Sequence, residues 1–329
     1  MSSDGQFLMP KGRFAPSPSG RMHLGNIFSA LMSYLSVKSR GGNWLLRIED
    51  LDPQRSRMEY ARLIEDDLHW LGLDWDEGGV DGKGDCGPYL QSRRGEWYGH
   101  TLELLEKKGL TYPCYCRRAD ILSTQAPHQT DGRVVYPGTC RPPGIGTTVT
   151  DPGASAISQK EHPDRNPAIR LYVPPRTITF DDMLYGLQQI DLAGICGDFV
   201  VRRADGAWAY QLAVVADDAA MGVTEVVRGS DLLPSAAQQI YLFELLGLTP
   251  PRYGHVPLLC NQDGQRLSKR DASLSMAELR LKFSPEEIIG KLAFAAGLIP
   301  CPERCDVADL IPLLCWDRLP DCERIVLNL

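Results

Sequence analysis

The stretch PSPSGRMHLGN (16–26) sets Gly20, His23, Gly25 and Asn26 at a junction that reads as strand to helix. Glycines let a backbone come close to a nucleotide. The free N–H groups of a helix start, with an imidazole donor beside them, suit phosphate. On its own such a stretch is more often only a tight turn. A second stretch, RLSKR (266–270), begins 243 residues after His23. It carries Lys269 on a polar loop, where an ammonium can follow charge onto a leaving pyrophosphate. Read alone it is a solvated basic loop. The third group is Cys114-x-Cys116 with Cys140 downstream. Zinc takes four tetrahedral ligands and thiolates suit it. Three thiols by spacing make a weak case, and reduced cysteines are the plainer reading. Cys301-x3-Cys305, with Cys315 and Cys322, is a further grouping, for which burial in helices is expected.

The elements that must position these residues alternate between strand and helix. Residues 13–20 read as a short strand entering a loop. Residues 24–40 read as a helix closed by Gly41-Gly42, and WLLRIED (44–50) as a buried strand whose end carries charge. Residues 60–73 and 95–109 are amphipathic helices. This order predicts an α/β fold with a doubly wound parallel sheet, which places its chemistry at strand C-terminal ends. The pattern breaks over 110–142, and a Pro/Gly/Ser/Thr-rich stretch, 142–167, reads as a flexible insertion. Strand-like pieces resume at 168–173 and 177–182. FVVRRADG (199–206) and AWAYQLAVVADDA (207–219) read as a hairpin turning at Asp205-Gly206. VTEVVRGSDLL (223–233) is a strand leading to a helix, 236–248. The 59 residues after Arg270 look helical with proline breaks.

The chain has 329 residues, 43% of them hydrophobic, enough for a sizeable core. No apolar run is long enough for a membrane span and the N-terminus lacks a secretory layout, so a cytoplasmic location is expected. Ten cysteines without a signal peptide argue against a disulfide framework. The net charge of −7 argues against nucleic-acid binding driven by overall charge. A local patch around Arg117, Arg118, Arg133 and Arg141 remains able to meet phosphate; a solvated basic face is the equal alternative.

Taken together, PSPSG-xx-HLGN and LSK resemble the two nucleotide motifs of the class I aminoacyl-tRNA synthetases, usually written HIGH and KMSKS. RFAPSPSG, LLRIEDLD, AYQLAVVADD and VTEVVRGSDLL are similar to glutamyl-tRNA synthetase sequence, and the resemblance spans roughly residues 12–271. The chain is most similar to a shortened group of that family, the glutamyl-Q tRNA(Asp) synthetases. These attach glutamate to queuosine in the anticodon loop of tRNA(Asp), not to a tRNA 3′ end. The resemblance implies a Rossmann-like catalytic domain in two halves, 1–110 and 199–271. Between them it implies a zinc-binding and acceptor-type insertion, 111–198, and after them a short helical region, 272–329, with no anticodon-binding domain. A small synthetase charging the tRNA 3′ end, a cofactor nucleotidyltransferase and a catalytically weakened tRNA-binding relative are the competing readings.

The resemblance also implies residue roles. Glutamate has two carboxylates and one ammonium, and planar guanidinium groups meet carboxylates best. Arg13 and Arg228 match the carboxylate-binding positions, Glu49 the ammonium position and Tyr210 the pocket wall, with Phe14, Ala15, Pro16 and Ser17 beside them. Arg47 and Asp52 lie near the same strand end, and capping of the following helix is the alternative role for Asp52. His23, Gly25, Asn26, Arg266, Leu267, Ser268 and Lys269 would bind ATP, accompanied by Mg2+, with His23, Asn26 and Lys269 catalytic. Cys114, Cys116, Tyr136 and Cys140 would hold one structural zinc, with His128 a competing fourth ligand. A monomer is the default. The chain departs from the family at Asn26, where a second histidine is usual, and at Arg266 and Arg270, which replace a lysine and a serine. Reduced rather than abolished activation is expected from these changes.

Overall fold

The computed structural model describes residues 9–117, 121, 135–146, 165–262, 264, 267 and 275–327. In chain order, β1 (Lys11–Phe14), α1 (Leu24–Lys38), β2 (Asn43–Leu46), α2 (Met58–Trp70), β3 (Glu77–Gly78) and α3 (Gly95–Lys107) form the first half. Then come β4 (Thr111–Cys114), β5 (Ala168–Leu171), β6 (Thr177–Asp182), β7 (Gly186–Asp191), α4 (Leu192–Cys196) and β8 (Phe199–Arg202). The second half holds α5 (Tyr210–Ala220), β9 (Glu225–Gly229), α6 (Leu233–Leu246), β10 (Arg252–Val256) and β11 (Leu258–Cys260). The chain continues through α7 (Met276–Lys282), α8 (Pro285–Ala295), α9 (Val307–Leu310) and β12 (Arg324–Val326).

Seven strands form one sheet in the order β3-β2-β1-β9-β10-β6-β7, parallel throughout except for the β6–β7 hairpin. Both faces are covered, as a parallel sheet requires. The alternation of side chains in β2 shows it: Trp44 and Leu46 enter the core under α1 and α2, whereas Leu45 enters the core under α3, α5 and α6. Gly12 lets α1 approach β1 closely, since a β-carbon there would lie 2.2 Å from Val37 Cγ2. Beyond β2 the chain stays extended, with Arg47 N–H donating to Phe14 O and Glu49 N–H to Pro16 O, each at 3.0 Å. That ladder carries Glu49 to the end of β1.

Three expectations are corrected. The hairpin over 199–219 is only a turn: Arg202 bridges Trp208, and the second half is the helix α5. Leu212 to Ala216 are all buried because α5 is packed against both α3 and α6. A helix covered this completely loses its polar face, and a continuous apolar run does not tell it from a strand. The 111–198 segment does not stay together either. β6 and β7 extend the main sheet beyond β10, while β8, expected with the second half, joins β4 and β5 in a three-stranded antiparallel sheet. Nor is the last segment purely helical, because β12 pairs parallel with β11, and Trp316 packs where a β-carbon on Gly254 would sit, 2.7 Å from Cη2. No described helix is long and apolar enough to cross a membrane.

Candidate active site

The chain leaves β1 toward β2 on one side and returns through β9 on the other, so the sheet's switch point lies between β1 and β9. Open α/β sheets bind ligands there, outside the carboxyl ends of the strands. A cavity of about 450 Å³ occupies that place. Arg13, Phe14, Ala15, Pro16, Ser17, Glu49, Tyr210 and Arg228 all line it, and so do His23, Gly25, Asn26 and Leu267. The residues singled out for glutamate and the described residues singled out for ATP therefore line one space.

At one end lies a buried charge cluster. Arg47, fully buried, donates from Nη1 to Asp218 Oδ1 at 2.6 Å and from Nη2 to Glu49 Oε1 at 3.2 Å. Arg13 Nε donates to the same Asp218 oxygen at 3.4 Å, and its two terminal amino groups make no hydrogen bond to a described residue. Asp217, 3.7 Å from Arg47 Nε, accepts from Arg94 Nε, from Tyr98 Oη at 2.9 Å and from Gln91 Nε2 at 2.7 Å. Burial pushes the Glu49 carboxyl up, with Arg47 and Arg13 opposing it. Against the same burial, Arg47 and Arg13 hold Asp218 below the usual carboxylate range. Asp217, Asp218 and Arg47 form the frame that aims Arg13 and Glu49. The sequence marked only Arg47, as a neighbour.

Arg228 is held differently. Its Nε donates to His255 Nε2 at 3.1 Å, Nη1 to Gln239 Oε1 at 2.9 Å and Nη2 to Leu232 O at 3.1 Å. No described carboxylate touches it, and it lines the cavity. Because His255 Nε2 accepts, His255 is neutral, and its Nδ1–H donates to Asp182 Oδ2 at 2.6 Å. Burial and the adjacent guanidinium depress the imidazole, against the Asp182 bond. Asp182, despite burial, is held low by that bond and by backbone N–H groups. A histidine whose folded value lies below its unfolded value of about 6.5 stabilises the fold fully above that pH. The contribution is lost as pH falls toward the folded value, and Asp182 adds a loss of the same sign at lower pH. The thermal midpoint should therefore decline between pH 7 and 5, and less so in His255→Gln. Equal declines in the two proteins would remove His255 from the account.

At the other end His23 caps α1. Its Nδ1 accepts from Gly25 N–H at 3.1 Å, and Asn26 Oδ1 accepts from His23 N–H at 3.2 Å. This reciprocal pair is a capping box. It gives Asn26 a local reason to be an amide: the oxygen closes the box, and Nδ2, which bonds no described residue, remains a donor at the helix N-terminus. The flanks of the second motif converge here. Leu267 N–H donates to Leu259 O at 3.0 Å, Ser275 bridges His23, and Met276 N–H donates to Met22 O at 3.0 Å. Buried Asp67 clamps both sides, taking Arg21 in two bonds of 2.8 and 3.1 Å and Arg280 at 2.9 Å. Arg266, Ser268, Lys269 and Arg270 lie outside the described residues, as do Arg118, His128 and Arg133.

The thiols of Cys114, Cys116 and Cys140 lie within 4.8 Å of one another. Tyr136 Oη is 3.4 Å from Cys114 Sγ and 3.8 Å from Cys116 Sγ, and accepts from Cys140 N–H at 2.7 Å. The Arg170 guanidinium stacks 3.7 Å from the Tyr136 ring centroid. Burial and Cys140 push the Cys116 thiol up to about 12, while, against burial, bonds from Tyr115 N–H and Tyr136 lower Cys140. Three thiols and a phenol closing on one point fit a tetrahedral metal ion. No second such group occurs among the described residues. Cys301, Cys305, Cys315 and Cys322 sit in loops, not in helices, among Pro302, Pro312 and Pro320. Asp52 caps its own turn through Gln54 N–H at 3.0 Å, whereas the N-cap of α2 is Arg57. Arg141 is committed to buried Asp198 by two bonds of 2.7 and 2.8 Å, so it does not contribute to a free basic patch.

The chain matches known proteins over most of its length. Residues 11–290 match the family described as tRNA synthetases class I (E and Q), catalytic domain. A glutamyl-Q tRNA(Asp) synthetase of Nitratidesulfovibrio vulgaris is 49% identical over 95% of this chain and 94% of its own. One of Symbiobacterium thermophilum is 46% identical over 94% and 93%. The structure of a glutamate tRNA ligase from Elizabethkingia meningosepticum, in complex with its amino acid, superposes with a TM-score of 0.80 at 27% identity. It covers 98% of this chain and 67% of that one. The chain is a ligase, and it belongs to the class I tRNA synthetases of the glutamate and glutamine type.

Proposed function

We propose that the chain activates L-glutamate with ATP and passes the glutamyl group to queuosine in the anticodon loop of tRNA(Asp). One observation carries the activation step: a single cavity is lined both by Arg13, Glu49, Tyr210 and Arg228 and by the capped start of α1. The glutamate carboxylates are met by Arg13 and by Arg228, and the ammonium by Glu49. The α-carboxylate attacks the α-phosphorus of ATP, and pyrophosphate leaves as glutamyl-adenylate forms. The nucleophile is already anionic, so no general base is needed, and catalysis is positioning plus charge stabilisation. His23, Asn26 and the first N–H groups of α1 hold phosphate oxygens. Lys269, with Arg266 and Ser268, follows charge onto pyrophosphate, and Mg2+ accompanies ATP.

The acceptor assignment is supported by the relatives that carry that name. Cys114, Cys116, Tyr136 and Cys140 would hold one zinc ion that stabilises the three-stranded sheet and takes no part in the chemistry. The decisive experiment offers labelled glutamate to tRNA(Asp) with and without queuosine. Label is expected only on the modified RNA. Equal labelling of both forms, or label on the 3′ end of tRNA(Glu), would overturn the acceptor. Glutamate-dependent pyrophosphate exchange without RNA tests activation separately.

A further inference from the structure

A triphosphate is a polyanion, and its end of the activation cavity needs positive charge. Among the described residues, the arginines that line this cavity are Arg13, Arg21 and Arg228, and no described lysine joins them. Arg13 and Arg228 belong to the glutamate end. Arg21 stands two residues before His23, beside the start of α1. Its side chain takes no part in the capping box there.

Arg21 is held firmly. Its Nε donates to Asp67 Oδ2 at 3.1 Å and its Nη2 to Asp67 Oδ1 at 2.8 Å. Two parallel bonds fix the plane of a guanidinium. They leave Nη1 as the amino group that bonds no described residue. Asp67 is fully buried on α2, one turn after Ile64, which lines the cavity. A buried carboxylate is costly to leave unpaired, so it holds its partners in place. Yet Asp67 does not cancel the charge of Arg21, because it is shared. Arg280 Nη1, from α7, donates to the same Oδ1 at 2.9 Å. Arg280 also meets Asp66, but that side chain is 59% exposed, and solvent screens it. Two guanidinium groups thus rest on one buried carboxylate, and one of them lines the cavity.

We propose that Arg21 contacts the triphosphate of ATP through Nη1, and that Asp67 is the positioning residue that aims it. Asn26 spends its oxygen on the capping box and offers phosphate only a neutral amide. Arg21 adds a fixed cation beside it. The proposal rests on the activation reading above and gives roles to two residues left unassigned there.

The test is calorimetric titration of the full chain with Mg2+-ATP and, separately, with adenosine, which lacks the phosphates. Arg21→Met should weaken ATP binding roughly tenfold or more, the loss of one hydrogen bond between charged groups. Adenosine should stay within about twofold of wild type, because a phosphate contact is all that is removed. Asp67 keeps Arg280, so the variant should fold, and a melting curve on the same sample checks this. Arg21→Lys is the second variant. It keeps a charge on Asp67 but not the fork, and should lose ATP affinity severalfold with adenosine unmoved. Asp67→Asn should also weaken ATP alone, and should cost nothing further once Arg21 is methionine. Equal losses for ATP and adenosine, or ATP binding unchanged in both Arg21 variants, overturn the contact. Additive losses for Asp67→Asn and Arg21→Met overturn the positioning role. If wild-type protein binds ATP no more tightly than adenosine, the activation reading itself fails, and Arg21 with it.

Discussion

Arg13→Ala should lower kcat/KM for glutamate in pyrophosphate exchange by roughly 30- to 4,000-fold, the equivalent of losing one member of a buried charge pair at about 2–5 kcal/mol. The guanidinium lines the cavity with only Nε engaged, so its terminal groups are the ones presented to a carboxylate. The fold should tolerate the change better than the chemistry. Asp218, the one partner lost, keeps Arg47 at 2.6 Å. Arg13→Lys should recover little, because an ammonium cannot span Asp218 and a substrate carboxylate as a planar fork does. Steady-state exchange with a melting curve on the same sample checks both halves. A loss under about tenfold, with the melt unchanged, would take Arg13 out of substrate binding.

The second large effect concerns the thiol cluster. Purified protein should carry about one zinc per chain, and Cys116→Ser should carry almost none. Structural zinc sites contribute apparent binding free energies of about 10–16 kcal/mol in small peptides, so metal loss is a folding event. Chelator should lower the thermal midpoint of the wild type and leave that of Cys116→Ser unmoved. Tyr136→Phe decides the fourth ligand. It keeps the ring beneath Arg170 and removes only the oxygen that Cys140 N–H contacts at 2.7 Å. Full zinc content in that variant would assign the position to His128. Protein that takes up no zinc, and whose melt ignores chelator, would dismiss the site.

Much of this was legible where a motif is local. PSPSGRMHLGN carries its own helix start, and the capping box between His23 and Asn26 is made within four consecutive residues. Other features escaped because they depend on what packs around them. AVVADD reads as strand because α5 is covered on several sides. In a helix, successive side chains point about 100° apart. That rotation sends Asp217 to Arg94 and Tyr98 but Asp218 to Arg13, with Arg47 between the two carboxylates. Arg228 was visible in VVRGSD, but its support was not. His255 lies on β10 and Asp182 on β6, 73 residues apart in sequence, and only the edge placement of the β6–β7 hairpin joins them. Gln91 offered no local signal at all, since its bond to Asp217 Oδ2 at 2.7 Å joins residues 126 positions apart.

The switch point between β1 and β9 has a consequence during synthesis. β2 and β3 can dock on β1 soon after they are made, but the opposite edge of β1 waits for Glu225, which stands opposite Gly12 in the finished sheet. At about 5–20 residues per second the ribosome leaves that edge bare for roughly 10–40 s. A bare strand edge is a template for pairing with the wrong chain. Thr224 N–H then closes the seam on Lys11 O at 2.8 Å. The seam has Arg13 on one lip and Arg228 on the other. On the proposed reading, competence to bind glutamate would arrive only once that seam closes, and neither half of the nascent chain would possess it alone.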